Sequence, residues 1–422
     1  MQCRALAVLV LTTVALAQDS SRSQPELKSV TVPITLDHNR VVIDVDISLP
    51  DGSTTRIRGW VDNGNPDLYV SERVTKLMGL GMACDSQSCS TRPPREIVIG
   101  GMRIPLASLK TATVPRKPHS GDGVMAPGMS AEINLPSTIL RNYDVLINYP
   151  DRQFTIAPSG TLKFNGGKAK AIVNSENGLI QIPSQIEKKK INLALDLGAS
   201  ISLLAPELFD SFAAAHPAWP HMTSAVGPAN MWGLDSEPTW KLMRADRIQY
   251  GPLFLTDVPV AEFPKDWMAF FEKRAGIPTA GLLGANALVN YRIGLDYAHS
   301  TVYFDIGRLF NFPEFDVIGL ILRPEDDGRF TILGIADFDG KPSVAGGPDG
   351  VQPGDHLVAV DGIPASGSTM GQVWSMLGGE PGKDRKLTLE RSGKQFTVIA
   401  EVHHFLGESQ ETHVEKGSSK KK

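Results

Sequence analysis

The stretch WVDNGNPDLYV, residues 60–70, places Asp62 directly after a hydrophobic run and follows it with Asn-Gly-Asn-Pro. Because Asn, Gly and Pro favour turns, this segment predicts a strand that stops at the Asp. Upstream, apolar residues alternate along 41–49, and a turn at 50–52 leads into the strand that carries Asp62. This alternation is typical of a β-hairpin. A single Asp in such a turn is usually structural, so its meaning depends on whether the pattern recurs.

The pattern recurs 134 residues later (196 − 62 = 134), where a second predicted hairpin ends at Asp196 and Gly198 aligns with Gly64. The closing segments of the two halves also match, since 142–149 reads NYDVLINY and 290–297 reads NYRIGLDY. Self-similarity of this kind indicates a repeated structural unit. The sequence therefore predicts two β lobes of common design, with one Asp from each lobe at their junction.

The duplicated Asp-x-Gly resembles the catalytic motif of two-lobed aspartic proteases, the pepsin-like and tandem retropepsin-like families, over residues 30–308. The second half also carries the later hydrophobic-hydrophobic-Gly segment of these families, at 281–284. The first half has Val124-Met125-Ala126 where that segment is expected. The resemblance implies a catalytic pair and its supporting residues, which are Asp62 and Asp196, with Gly64, Gly198, Ser200 and Asn63 in support.

Such a pair has a definite chemistry. Two carboxyl groups a few Å apart hold one proton between them, because both cannot ionise easily. The ionised group can take a proton from a water as that water attacks a peptide carbonyl, while the protonated group polarises the carbonyl oxygen. The families place Thr or Ser after each Asp, whereas this chain has Asn63 and Leu197, and Pro66 replaces an outer hydroxyl residue. No aromatic residue between 71 and 142 marks the flap that pepsin-like enzymes close over substrate.

Two functions therefore stay open. The first is an aspartic endopeptidase that hydrolyses protein or peptide substrates, and the second is a catalytically inactive homologue that acts as a peptide-binding scaffold. A serine protease is disfavoured because the chain has no Gly-x-Ser-x-Gly motif. No cofactor or metal is expected, and the duplication favours a monomer.

The C-terminal segment 313–405 resembles a PDZ domain of the bacterial protease-associated kind, most clearly through QPGDHLVAVDG at 352–362. The resemblance implies a carboxylate-binding loop at Gly319, Leu320, Ile321 and Leu322. It also implies an edge strand at 329–336 and a groove against a helix at 369–377. Such a domain binds peptide C-termini by adding the peptide as a strand to its sheet.

The N-terminus has the design of a cleavable signal peptide, with Arg4, an apolar run and a small-residue site ending at Ala17. Export to the periplasm or outside the cell is therefore expected, and an exported chain would close Cys84 and Cys89 into a small disulfide loop. A zinc site at these cysteines is disfavoured because no His stands nearby at a suitable spacing. No later segment is apolar over the roughly 20 residues needed to span a bilayer.

Composition limits the remaining choices. With 41% hydrophobic residues the 422-residue chain can build folded cores, and a net charge of −4 gives no basic surface for nucleic acid. The expected fold is mainly β, with duplicated retropepsin- or pepsin-like β lobes followed by a small α/β PDZ domain. The expected organisation is a signal peptide 1–17, a flexible leader 18–29, a first lobe 30–160, a second lobe 161–312, the PDZ domain 313–405 and a disordered basic tail 406–422.

Overall fold

The computed structural model describes residues 28–85, 88–115, 131–308, 314–325, 327–346 and 350–407. The expected signal peptide, nearly all of the expected leader, the Val124–Ala126 segment and the tail from 408 onward lie outside these ranges. Within them, no helix is both long and apolar enough to cross a membrane.

The first lobe is built from two sheets and a small three-stranded sheet. Its helices are α1 Glu72–Leu77 and α2 Ser137–Leu140. Strands β3 and β4 form the predicted hairpin, in which Ile43, Val45 and Ile47 alternate into the core. The strands are β1 Val30–Pro33, β2 Thr35–Asp37, β3 Arg40–Ser48, β4 Thr54–Asp62, β5 Met82–Cys84, β6 Ser88–Thr91, β7 Glu96–Ile99, β8 Met102–Pro105, β9 Ala112–Pro115, β10 Ile133–Pro136, β11 Tyr143–Asn148 and β12 Gln153–Pro158.

The second lobe repeats this design around an eight-stranded sheet. Its helices are α3 Pro206–Ala215, which starts at a proline, and α4 Lys265–Ala275, which ends at the left-handed Gly276. Short 3₁₀ turns lie at Gly227–Ala229, Glu237–Thr239 and Ala285–Ala287. The strands are β13 Gly167–Lys170, β14 Ile172–Val173, β15 Ile180–Ile186, β16 Lys189–Leu195, β17 Ser202–Leu204, β18 His221–Thr223, β19 Lys241–Tyr250, β20 Leu253–Glu262, β21 Gly281–Leu283, β22 Tyr291–Asp296 and β23 Thr301–Ile306.

A six-stranded sheet joins the two lobes, in the order β1-β12-β11-β22-β23-β13. At its centre β11 and β22 pair antiparallel, with Leu146 opposite Gly294. These two residues are 148 apart in the sequence (294 − 146 = 148), which is also the offset between the matching segments 142–149 and 290–297. Leu146 thus faces its own repeat, and the pairs on either side exchange symmetrically, Asp144 with Asp296 and Asn148 with Arg292, as a two-fold relation between the lobes requires. The architecture is mainly β, with two lobes that repeat one design.

The described residues of 314–407 form a C-terminal unit with a six-stranded sheet, in which β25-β26-β29-β31-β32 lie in this order and β30 pairs with β29. Its helix α5, Met370–Leu377, begins with a capping box between Thr369 and Gln372. The strands are β24 Asp316–Val317, β25 Leu320–Pro324, β26 Phe330–Ile335, β27 Asp337–Phe338, β28 Lys341–Pro342, β29 His356–Val360, β30 Ile363–Pro364, β31 Asp384–Arg391, β32 Lys394–Glu401 and β33 His403–His404.

Two sequence expectations need correction here. The edge strand was placed at 329–336, but β26 lies inside the sheet between β25 and β29, and β25 is at the edge. The first-lobe counterpart of 281–284 was placed at Val124–Ala126. The structure instead pairs β10 parallel with β4, as β21 pairs parallel with β16. Pro136 therefore stands opposite Asp62, and because the first lobe has no glycine there, the glycine-based search missed this strand.

Candidate active site

Asp62 and Asp196 are brought together at the junction of the lobes. Asp62 ends β4 and Asp196 follows β16 directly, and both line one cavity of about 360 Å³. A Cβ added to Gly64 would lie 2.1 Å from Cγ of Asp196, and one added to Gly198 would lie 2.3 Å from Oδ1 of Asp62. Each carboxyl group is thus packed on the glycine of the opposite loop, where any side chain would collide with it.

The surroundings of the two carboxyl groups favour their protonated forms. Burial raises the pKa of Asp196 to about 6, although its Oδ1 accepts hydrogen bonds from the N–H groups of Gly198 (2.9 Å) and Ala199 (3.1 Å). Burial and then the charge of Asp196 raise the pKa of Asp62 well above its usual range. The Oδ2 atom of Asp62 has no hydrogen-bond partner among the described residues. The pair is therefore arranged to retain a proton that isolated carboxyl groups would release.

Asn63 ties the two Asp loops together. Its side-chain Nδ2 donates to the carbonyl oxygen of Leu195 (2.7 Å), and its Oδ1 accepts from the N–H of Leu197 (2.9 Å). The amide thus makes both a donor and an acceptor contact across the lobe junction, to the residues on either side of Asp196. Leu197 has no group to return these bonds, and its side chain is fully buried in the main hydrophobic core.

Ser200 does not contact the pair in the way its motif position suggested. Its hydroxyl donates to the carbonyl oxygen of Pro228 at 2.7 Å, and both groups are buried. In the first lobe the corresponding position, Pro66, accepts a bond from the hydroxyl of Thr138 (2.7 Å). Each Asp loop is therefore fastened to a neighbouring segment by a hydroxyl, but the two segments differ.

Two further residues act on Asp62 and were not predicted. Arg40 is buried, and its charge lowers the pKa of Asp62, as does a hydrogen bond from the side chain of Asn134. Both effects are smaller than that of burial. Arg40 could have been found by counting along the hairpin, because β3 and β4 pair as Val42 with Trp60, and continuing this register by two residues sets Arg40 opposite Asp62. Asn134 could not, since its strand is distant in sequence.

Aromatic side chains line the cavity around the pair, mostly from the second lobe. Helix α4 forms one wall, and the guanidinium group of Arg274 stacks on the ring of Phe270 (4.7 Å) while it forms an ion pair with Asp67 of the first lobe. The helix thus reaches across the cleft, and the aromatic residues that the flap segment lacks are supplied from elsewhere in the chain. The aromatic lining residues are Trp60, Tyr69, Trp232, Phe263, Trp267, Phe270 and Phe271.

The residues expected to form a carboxylate-binding loop in the C-terminal unit are not open to a ligand. Leu320, Ile321 and Leu322 are fully buried, and a Cβ on Gly319 would lie 2.3 Å from the hydroxyl of Ser343. The N–H of Leu322 donates to the side chain of Asn230, a residue of the second lobe (2.8 Å). The edge at which a peptide would be added is therefore bonded to this chain's own second lobe.

Cys84 and Cys89 form a disulfide bond that closes the β5–β6 hairpin, as expected. Among the residues that the structure describes, no three His, Cys, Asp or Glu side chains converge as metal ligands would.

No family model matches the sequence, and no curated protein matches it. A solved structure that is similar to this chain is described as the crystal structure of aspartic proteinase from Irpex lacteus. It shares 12% sequence identity, and the match covers 66% of this chain and 97% of that chain with a TM-score of 0.39. At this identity and TM-score, the likeness carries no argument about function, and the inferences below rest on the site's own geometry.

Proposed function

We propose that this protein is an aspartic endopeptidase. The observation that carries the proposal is the meeting of Asp62 and Asp196, each packed on the glycine of the opposite loop and each with a raised pKa. A protein gains no stability from two closely packed carboxyl groups that repel each other, so their meeting in one cavity favours a catalytic role.

The proposed reaction uses the pair with a single proton. A water oxygen attacks the carbonyl carbon of a peptide bond, the ionised carboxyl takes a proton from that water, and the protonated carboxyl gives its proton to the carbonyl oxygen. The C–N bond then breaks as the amine nitrogen takes up a proton from the pair, and the hydroxyl proton returns to the other carboxyl. One water is consumed, and the pair ends as it began. Which Asp starts protonated belongs to the pair and is not assigned.

The substrate class follows from the lining of the cavity. A mainly aromatic wall favours apolar side chains next to the scissile bond, and 360 Å³ holds only a few residues of a peptide. Helix α4 reaches the first lobe through the ion pair between Arg274 and Asp67. This ion pair must break before an extended polypeptide can lie in the cleft. We therefore expect cleavage of flexible peptides and unfolded segments in preference to folded proteins.

Two further features belong to the proposal. The signal-like segment 1–17 and the Cys84–Cys89 disulfide support export. The strand order and single helix of the C-terminal unit are consistent with a PDZ-like domain, whose peptide-accepting edge would be strand β25. That edge is bonded to Asn230, which disfavours recruitment of substrate C-termini at this site.

The test compares Asp62→Asn and Asp196→Asn with the parent on a fluorogenic peptide library between pH 4 and pH 8. Asp210→Asn is the matched control, since Asp210 is 59% exposed and lies on the surface. We expect either active-site change to lower cleavage at least about 10³-fold while the control keeps parental activity. If the purified parent is folded but no more active than both variants, the inactive scaffold is the better description.

A further inference from the structure

One loop of the second lobe contacts the C-terminal unit, the Asp196 segment and β3, the hairpin partner of the strand that carries Asp62. This junction loop, residues 225–238, runs between β18 and β19. At its centre Asn230 is fully buried, and its side-chain Nδ2 donates to the carbonyl oxygen of Leu322 (2.9 Å) while its Oδ1 accepts from the N–H of the same residue (2.8 Å). The side-chain amide of Asn230 therefore bonds strand β25 as a neighbouring strand would.

The junction loop is held firmly at this place. The buried carboxylate of Glu237 accepts hydrogen bonds from the N–H groups of Trp232 (3.0 Å) and Gly233 (3.1 Å), and from the side chain of Asn230. Gly233 has a φ of +71°, and a Cβ there would lie 2.7 Å from Cδ of Pro324. Backbone and side chains thus fix the loop against β25, where a small shift would cause a collision or leave a buried group unpaired.

The other side of the junction loop contacts both halves of the site. The carbonyl oxygen of Pro228 accepts from the hydroxyl of Ser200, four residues after Asp196 (2.7 Å). The carbonyl oxygen of Met231 accepts a hydrogen bond of 3.2 Å from the guanidinium group of Arg40. Arg40 is buried, and its charge acts on Asp62. These two carbonyl groups, three residues apart, bind one residue of the Asp196 segment and one residue of β3, the strand that pairs with the Asp62-bearing strand β4.

We propose that the C-terminal unit is part of the scaffold that positions the Asp pair, and that Asn230 and Ser200 are positioning residues in this connection. Leu197 cannot make the corresponding bonds to the first Asp loop, so these cross-junction bonds come from Asn63 alone. The Ser200–Pro228 bond supplies a different support, whose far end is strand β25. The catalytic consequence rests on the proposed function, whereas the mechanical connection does not.

The test measures amide hydrogen exchange in the full-length protein and so needs no activity. Ser200→Ala removes one buried link and leaves the contact of Asn230 with β25 intact, whereas Asn230→Ala removes that contact. Asp235→Asn is the matched control on the same loop, because Asp235 is 80% exposed and pairs with Arg323 at the surface. We expect exchange across 196–201 to rise about fivefold or more in both alanine variants and to stay parental in the control.

The kinetic readout is a lower kcat with KM nearly unchanged, because substrate contacts are kept while the pair is displaced. Parental exchange across 196–201 in Ser200→Ala would overturn the proposal, even if Asn230→Ala failed to fold. If exchange rises as expected but the parent cleaves no peptide, the positioning connection stands and the proposed function fails. Equal loosening of this segment in the Asp235→Asn control would also overturn the proposal.

Discussion

At the scale of single residues, the lobe junction is bonded by one side-chain amide, that of Asn63, in place of two hydroxyl groups. Asn63 makes a donor and an acceptor bond to the backbone on either side of Asp196, in a place where it is fully buried. Its side-chain amide carries both a donor and an acceptor, so one residue bonds two backbone groups of the other lobe. The lobe junction therefore depends on Asn63 more than on Leu197, which contributes apolar packing.

Asn63→Ala should lower the free energy of unfolding by about 2–4 kcal/mol, because it removes two bonds and leaves a buried N–H and a buried carbonyl unpaired. Urea denaturation at pH 7 measures this loss. Asn65→Ala is the matched control, since the side chain of Asn65 makes a local bond to the N–H of Asp67 (2.9 Å) in a partly exposed turn. An effect of Asn63→Ala no larger than that of the control would show that the amide does not join the lobes.

The raised pKa values predict how rate depends on pH. The singly protonated pair forms as pH rises through its lower apparent pKa, which the value of about 6 for Asp196 places near neutrality. The second proton is held to higher pH, because the charge of the carboxyl that ionises first raises the pKa of the other. We therefore expect kcat/KM to fall about tenfold per pH unit well below pH 6, with its maximum near pH 7. A maximum at pH 3 would contradict this reading of the site.

The same shift predicts a stability change with a definite sign. A carboxyl group whose pKa is raised by folding binds its proton more tightly in the native state, so stability decreases as pH rises from about 4 through 6. Asp196→Asn removes this penalty and should stabilise the protein by about 1–3 kcal/mol at pH 7, with little gain at pH 4. Thermal unfolding at both pH values measures the difference. Destabilisation by the variant at pH 7 would contradict the prediction.

At the scale of elements, the features predicted from sequence are those fixed by neighbours along the chain. The β3–β4 and β15–β16 hairpins, which lead to the two Asp residues, follow from alternation and turn residues within about ten residues. The pairing of β10 with β4 was missed because 71 residues separate Ile133 from Asp62 (133 − 62 = 71) and lobe one lacks the expected glycine.

Helix α4 shows what sequence patterns do not contain. Its position over the cleft depends on Arg274 reaching Asp67 and on Asn177 donating to the carbonyl oxygen of Arg274 (2.8 Å), contacts between segments 97 to 207 residues apart. The aromatic residues along 219–271 could have predicted an aromatic cavity wall. They could not have predicted that this wall lines the cavity of the Asp pair. The buried edge of β25 was missed for the same reason, since its partner Asn230 precedes Leu322 by 92 residues.

The bridge made by α4 gives a prediction at this scale. Arg274→Met should release the end of the helix from the first lobe and raise kcat/KM for an unfolded protein substrate about two- to fivefold, as expected for a partly exposed ion pair. Cleavage of a short peptide should change less, since it needs less opening. Lys273→Met, a neighbouring exposed cation on the same turn, is the control. Equal changes for long and short substrates would argue against a gate at α4.

At the scale of the whole molecule, the C-terminal unit does not behave as an appended module. One continuous hydrophobic core includes Val226 and Met231 of the second lobe together with Ile318 and Leu320 of the C-terminal unit. A flexible linker to an independent domain would leave two separate cores and a polar interface. Because the two units share one core, removal of either would expose apolar residues of the other, and their stabilities are coupled.

This coupling predicts the form of the thermal unfolding. We expect the second lobe and the C-terminal unit to unfold in one calorimetric transition, followed in parallel by the fluorescence of Trp374 in the C-terminal unit and of Trp232 and Trp240 in the second lobe. The difference between the parent and a Trp374→Phe variant isolates the signal of the C-terminal unit, because the other five of the six Trp residues precede this unit in the sequence. A chain ending at residue 313 should then expose apolar surface and bind a hydrophobic dye, since the residues packed on Met231 are gone. Two well-separated transitions, with the truncated chain as stable as the first of them, would instead indicate an independent C-terminal domain and would remove the physical basis for its control of the Asp pair.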